Sequence, residues 1–447
     1  MGNRHLFVDW EGGGNLPPGL TLARQMVERG HRVRVLCDPA DEADVNAAGC
    51  EFVSYTRAPH RLDKSAESDF IRDWEARTLM EALALSQDRV IFGPALSYAR
   101  DVLEELEREP ADALVVNRTL YGAMAAAEKA VLPFAVLMPG IYEVPHPGVP
   151  PIGLGLMPAR GPLGRLRDYA LGRVLRHLYG RGLPAAFNAA RAELGLDPLG
   201  HPWEQFDHAV RVLVLTSEAF DFPAGCLPPN VRYVGPQLDE PAWVEPWRSP
   251  WREDHPHPLV VVGFSTTPQN QSPVLRKAIA TLGTLRVRAL VTVGPALDPA
   301  QFEAPANVVV MRSVAHAQVF PEASAVITHA GHGTVIRALR YGIPLVCLPM
   351  SRDQGDDAAR VVARGAGLRL SKEAPMVEIR GAIQSVVEQP RFREGARKLS
   401  QAIAADIRER RGVRELEGLV VGSEVVSMKA SEARARSSQK SASRRNQ

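Results

Sequence analysis

The stretch Ala325–Val361 reads AVITHAGHGTVIRALRYGIPLVCLPMSRDQGDDAARV, and its order of apolar runs and glycines decides the fold. Ala325 to Thr328 is a short apolar strand, Thr334 to Tyr341 a helix, and Pro344 to Leu348 a second strand. Short strands alternating with helices imply a parallel sheet covered on both faces. The turn His329-Ala330-Gly331-His332-Gly333-Thr334 ends the first strand and opens the helix. Backbone N–H groups at a helix start have no partner within the helix, and the helix dipole favours an anion beside them. Gly331 and Gly333 let that anion approach the backbone, Thr334 adds a hydroxyl donor and His329 a side-chain donor. A diphosphate needs such a set.

The same alternation extends upstream through Leu259 to Val262 (strand), Val274 to Leu282 (helix), Arg288 to Val293 (strand), Val308 to Met311 (strand) and Ala315 to Phe320 (short helix). The first half repeats it. His5 to Asp9 is a strand, Gly12-Gly13-Gly14 a turn, Pro18 to Glu28 a helix closed by Gly30, and Val33 to Cys37 a second strand. Ala113 to Val116, Gly122 to Ala130 and Pro133 to Leu137 continue the pattern, and Val212 to Leu215 reads as the last strand of that half. Phe222 to Pro258, rich in proline and carrying four Trp or Tyr positions, reads as a connector. The expected α/β layout is a Rossmann-like domain over 1–221, a linker over 222–258 and a second Rossmann-like domain over 259–400. A helix over 401–424 should return to the first domain, followed by a disordered tail over 425–447. Ligands of such sheets bind at the carboxyl ends of the strands, so the cleft between the domains is the expected site.

With 447 residues the chain is too long for one ordinary core. Its 45% apolar and 23% charged content is that of a globular protein. A net charge of +2, with six basic residues against one acidic one after Met428, leaves the body near neutral and argues against nucleic-acid binding. Cys37, Cys50, Cys226 and Cys347 show neither metal spacing nor a disulfide framework; Cys37 and Cys347 end strand-like runs and should be buried thiols. No run of about 18 apolar residues occurs and the first residues lack a signal-peptide core, so a cytoplasmic protein without membrane insertion is expected.

Thr328 to Val361 resembles the donor motif of nucleotide-sugar-dependent glycosyltransferases of the GT-B fold, specifically the bacterial natural-product branch of glycosyltransferase family 1. The resemblance runs from His5 to about Val420. It implies that His329 contacts a phosphate, that Gly331, His332, Gly333 and Thr334 cradle the diphosphate, and that Asp353 and Gln354 hold donor-sugar hydroxyls. An acidic and amide pair suits hydroxyls, which both donate and accept. Arg312-Ser313-Val314-Ala315-His316 resembles the family's base-binding segment, and Gly263-Phe264-Ser265-Thr266 its loop near the donor phosphates, which puts Ser313, Val314, Ser265 and Thr266 in the donor site. UDP-using members often carry a glutamate on the ribose eight residues after the phosphate histidine. Arg337 stands there, which favours a dTDP-sugar over a UDP-sugar.

Gly14-Asn15-Leu16-Pro17-Pro18 is similar to the family's G-H-x-x-P opening, whose histidine is the general base. Asn15 occupies that position, and Asn117 that of the aspartate that orients the histidine. An amide accepts no proton at neutral pH, so the dyad is absent. Glu11 is the first alternative base and Asp9 the second; an acidic acceptor needing little deprotonation, or binding without transfer, are the other readings. Pro17 and Pro18 remove two N–H groups a pyrophosphate would use, so this end is not a dinucleotide site. The irregular Pro139–Pro162 stretch, with seven prolines and five glycines, matches the family's acceptor loop, and Tyr142, His146 and Ile152 are its candidate acceptor contacts. The expected ligands are a nucleotide-diphosphate sugar as co-substrate and a hydrophobic small-molecule acceptor, with no separate cofactor and no metal; the reading leaves room for a homodimer.

Overall fold

The computed structural model describes residues 2–420 except 182–183, 224, 241–243, 253 and 265. The first sheet holds β1 (Arg4–Val8), β2 (Arg32–Cys37), β3 (Glu51–Ser54), β4 (Ala113–Asn117), β5 (Phe134–Met138), β6 (Arg211–Val214) and β7 (Val231–Tyr233). They pair in parallel in the order β3-β2-β1-β4-β5-β6-β7. The second sheet holds β8 (Leu259–Gly263), β9 (Arg288–Thr292), β10 (Val308–Met311), β11 (Ala323–Thr328), β12 (Leu345–Cys347) and β13 (Gly367–Arg369), parallel in the order β10-β9-β8-β11-β12-β13. Central strands such as β4 (ALVVN) and β8 (LVVVG) are buried at every position, because helices cover both faces.

In each sheet the chain winds outward on one side and then restarts on the other. The restarts fall between β1 and β4 and between β8 and β11. Loops leaving adjacent strands diverge at such a point and open a crevice. The Gly12–Gly14 turn follows β1, and the His329–Thr334 turn follows β11.

The structure corrects the element reading in three places. β7 lies in the stretch read as connector and extends the first sheet to Tyr233, so Val212 to Leu215 does not hold its last strand. β3 is a further strand beyond β2. Helix Pro390–Glu409 runs past residue 400 and packs Ala396, Leu399 and Ile403 into the second-domain core, after helix Gln354–Ala363, β13 and helix Met376–Glu388, so the returning helix does not begin at 401. The chain then turns at Arg410, whose φ is +46°, and a helix over 411–420 packs Val413, Leu416 and Leu419 among Phe7, Leu22 and Met26 of the first domain. Gly412 allows this approach, since a Cβ there would stand 2.6 Å from the Leu22 side chain. Arg29–Glu417 (3.0 Å) and Arg211–Glu415 (2.6 Å) flank the contact. The tail over 425–447 lies outside the described residues. Cys37 and Cys347 are buried free thiols at the ends of β2 and β12. Among the described residues no helix is long and apolar enough to cross a membrane.

Candidate active site

A cleft of about 1340 Å³ runs between the carboxyl edges of the two sheets. Its second-domain wall is built on the turn after β11. Ala330 adopts φ +69°, and its N–H is held 3.2 Å from Thr328 Oγ1. Gly331 is required next, because a Cβ there would collide with the His329 imidazole. Helix His332–Arg340 begins at once, so its free N–H groups face the cleft. His329 is buried against Phe264, ring centroids 5.8 Å apart. Burial pushes its pKa down to about 4 despite a hydrogen bond to Gly263, so the ring is neutral at pH 7.

His332 places Nδ1 3.0 Å from Asp357 Oδ1, and its Nε2 is buried without a partner. Burial alone would lower its pKa, but Asp357, with Asp353 and Asp221, pulls it above the ordinary value. Asp353 lines the cleft; Gln354 is more constrained. The Gln354 carbonyl accepts from the N–H groups of Met350 (2.8 Å) and Ser351 (3.1 Å), and its amide donates to Gln269 (2.7 Å). Gln354 therefore holds the loop that presents Asp353. Ser313 and Val314 line the far end beside His316, which stacks on Phe320 at 4.4 Å. Thr266 lines the cleft opposite Gly13, and Ser265 lies outside the described residues.

On the first-domain wall Asn15 lines the cleft but Asn117 does not. Asn117 Nδ2 donates to Asp9 Oδ1 (2.8 Å), and its carbonyl accepts from Thr119 Oγ1 (2.8 Å). The positions of the expected pair are thus separated by chemistry: Asn117 is bonded beneath the surface. Asp9 lies buried with it, its pKa pushed up to about 8 by burial against the hydrogen bonds from Trp10 and Asn117. Glu11 reaches the cleft and is buried rather than solvated. Its Oε1 accepts from Gly13 N–H (2.8 Å), and Arg61 and Lys64 lie 3.9 and 3.7 Å away. Burial, and then Glu11, push the neighbouring Asp41 carboxyl well above its usual range.

Of the three acceptor candidates only Ile152 lines the cleft. Tyr142 packs into the first-domain core, its backbone N–H held by Asp221 at 3.1 Å and its ring 5.2 Å from His146, and neither Tyr142 nor His146 lines the cleft. The apolar wall comes instead from Ile71, Trp74, Leu83, Leu178, Tyr179 and Trp203. Sequence reasoning missed these, because segment 70–92 has no clear period and helix Gly161–Arg181 reads only as Leu- and Arg-rich. It also missed Glu143, which lines the cleft beside Arg118 at 2.5 Å. Burial raises its pKa to about 7, Arg118 opposing and Asp353 assisting. The two walls meet closely: a Cβ built on Gly140 would stand 3.7 Å from the His332 ring and 4.0 Å from Asp353 Oδ2.

Two such domains, set edge to edge over a cleft that ends in an anion-ready turn, define the GT-B class of glycosyltransferases. Residues 276–419 match the family described as Erythromycin biosynthesis protein CIII-like, C-terminal domain. The chain is 31% identical over 433 residues to 4'-demethylrebeccamycin synthase of Lentzea aerocolonigenes, an alignment that covers 94% of this chain and 100% of that protein. It is 25% identical over 413 residues to oleandomycin glycosyltransferase of Streptomyces antibioticus, covering 91% and 87%. The crystal structure of the glycosyltransferase of kitacinnamycin superposes with a TM-score of 0.73 at 21% identity, covering 94% and 99%. The chain belongs to the natural-product, antibiotic-type branch of glycosyltransferase family 1, and it is a glycosyltransferase.

Proposed function

We propose that this enzyme transfers a hexose or deoxyhexose, with inversion, from a nucleotide-diphosphate sugar to a lipophilic natural-product-like acceptor in the cytoplasm, with dTDP preferred to UDP. The observation that carries the reading is the turn after β11, where a neutral, buried His329 and the open start of helix His332–Arg340 face the cleft. The acceptor oxygen attacks the anomeric carbon from the first-domain side, its proton passing to a carboxylate. The bond from that carbon to the diphosphate oxygen breaks, and its electron pair leaves with the nucleoside diphosphate. His329, Thr334 and the backbone N–H groups stabilise the charge that develops there. Asp353, on a loop braced by Gln354, takes sugar hydroxyls.

Glu11 is the base this reading favours, since it lies in the cleft wall a few residues before the Asn15 position. Relatives support the substrate class: the two named above act, by their names, in rebeccamycin and oleandomycin chemistry. The apolar wall suits such an aglycone. Neither a metal nor a separate cofactor enters the proposal. A second reading, binding without transfer, is favoured by one observation: Asn15 is an amide and Asn117 is bonded to Asp9.

Mass spectrometry of reactions with dTDP- and UDP-hexoses, phenolic and macrolide acceptors and excess EDTA tests the proposal. Addition of one sugar, unaffected by EDTA and faster from dTDP, is expected. Donor that is bound but neither transferred nor hydrolysed would establish the second reading.

A further inference from the structure

Arg337 lies one turn along helix His332–Arg340 from Gly333, on the same face. Its side chain runs back towards the start of the helix, so that a Cβ on Gly333 would stand 3.1 Å from Arg337 Nη1. A cation at that end faces the positive pole of the helix dipole, an unfavourable arrangement in itself. Its surroundings do little to offset this. Nη2 donates to the Asp239 carbonyl oxygen at 2.7 Å, while Nε is buried without a hydrogen-bond partner. Among the described residues no carboxylate forms an ion pair with it. Burial lowers its pKa, with the charges of Glu240 and Asp239 opposing. Arg352, by contrast, is committed to Asp73 through two bonds of 2.8 and 2.7 Å. A half-buried guanidinium with an unpartnered Nε and no carboxylate bonded to it is left to be satisfied by an anionic ligand.

We propose that Arg337 binds the nucleoside-side phosphate of the donor, giving the diphosphate seat a formal positive charge. This rests on the donor-site reading above. Its consequence is a nucleotide site that gains affinity from charge on the first phosphate and gains nothing from the pentose diol, which links Arg337 to the preference for a deoxyribose.

Titration of thymidine, dTMP, dTDP and UDP into the full chain and into Arg337→Gln, Arg337→Lys and Arg337→Glu separates the possibilities, with thermal melts confirming that each variant folds. Arg337→Gln is expected to lose about tenfold or more in affinity for both dTMP and dTDP, with thymidine unchanged. Arg337→Lys, which keeps the charge, retains part of the loss and stays informative if the Gln variant fails to fold. Arg337→Glu is expected to bind least of the three and to reverse the order of dTDP and UDP. Equal affinity of wild type and Arg337→Gln for dTMP overturns the inference, as does a loss equally large for thymidine. A wild type that binds none of the nucleotides overturns the donor-site reading itself and this inference with it, a pattern distinct from a wild type that binds and a variant that is unchanged.

Discussion

His329 stands in the cleft wall as an uncharged imidazole, and its neutrality has a cost that pH reveals. Burial holds it near 4 in the folded chain, whereas an unfolded histidine titrates near about 6.5. On acidification the unfolded chain therefore takes up this proton first. Stability is lost as pH falls from 6.5 towards 4 and is unaffected above that window, the full difference being about 3 kcal/mol. His329→Gln should lose less stability than wild type between pH 6.5 and 4.5 in urea melts; parallel losses would contradict the assignment. At this scale the sequence was legible where chemistry is local. His329, Gly331 and Thr334 are neighbours in the chain as well as in space, so their place together on one turn could be read directly. Tyr142 was not: an aromatic in an irregular loop reads the same whether it lines a cleft or fills the core, and only its packing in the first-domain core decides. Glu143 drew no notice because its partner Arg118 lies on another strand's loop.

Among the elements, the helix over 411–420 ties the second domain's end to the first domain's core. Leu416 is fully buried there among Leu22 and Met26. Leu416→Ala should lower stability by about 2–5 kcal/mol, measured by chemical denaturation, and a loss below about 0.5 kcal/mol would mean the helix is not docked. Strands of five or so apolar residues, such as β4 and β8, stand out in the sequence because both faces are covered. β7 and β13 do not, since three residues give no period and their pairing with β6 and β12 is a tertiary fact. Gly412 and Arg410, which set the return of the last helix, carry no signal without the partner surface.

For the molecule as a whole, the two sheets alone do not form the site; the contacts between them do. Arg352 on the loop after β12 is bound to Asp73, Asn270 donates to the Trp74 carbonyl at 3.0 Å, and Asp356 accepts from the N–H groups of Gly153 and Gly155 at 2.7 and 3.0 Å. Segment 69–78, which carries apolar cleft residues Ile71 and Trp74, thereby touches the loop that carries Asp353. The two-domain plan followed from strand–helix alternation, but these ties join residues up to 279 positions apart and leave no pattern in the chain. The central claim is that the donor's two phosphates rest on the turn after β11, across the cleft from the Gly12–Gly14 loop. A crystal structure of the enzyme with dTDP tests it most directly. The account expects phosphate oxygens within hydrogen-bond distance of His329 and of the backbone N–H groups at the start of helix His332–Arg340, with the base beside Val314. A nucleotide seated on the first domain, or phosphates turned away from that helix start, would contradict it.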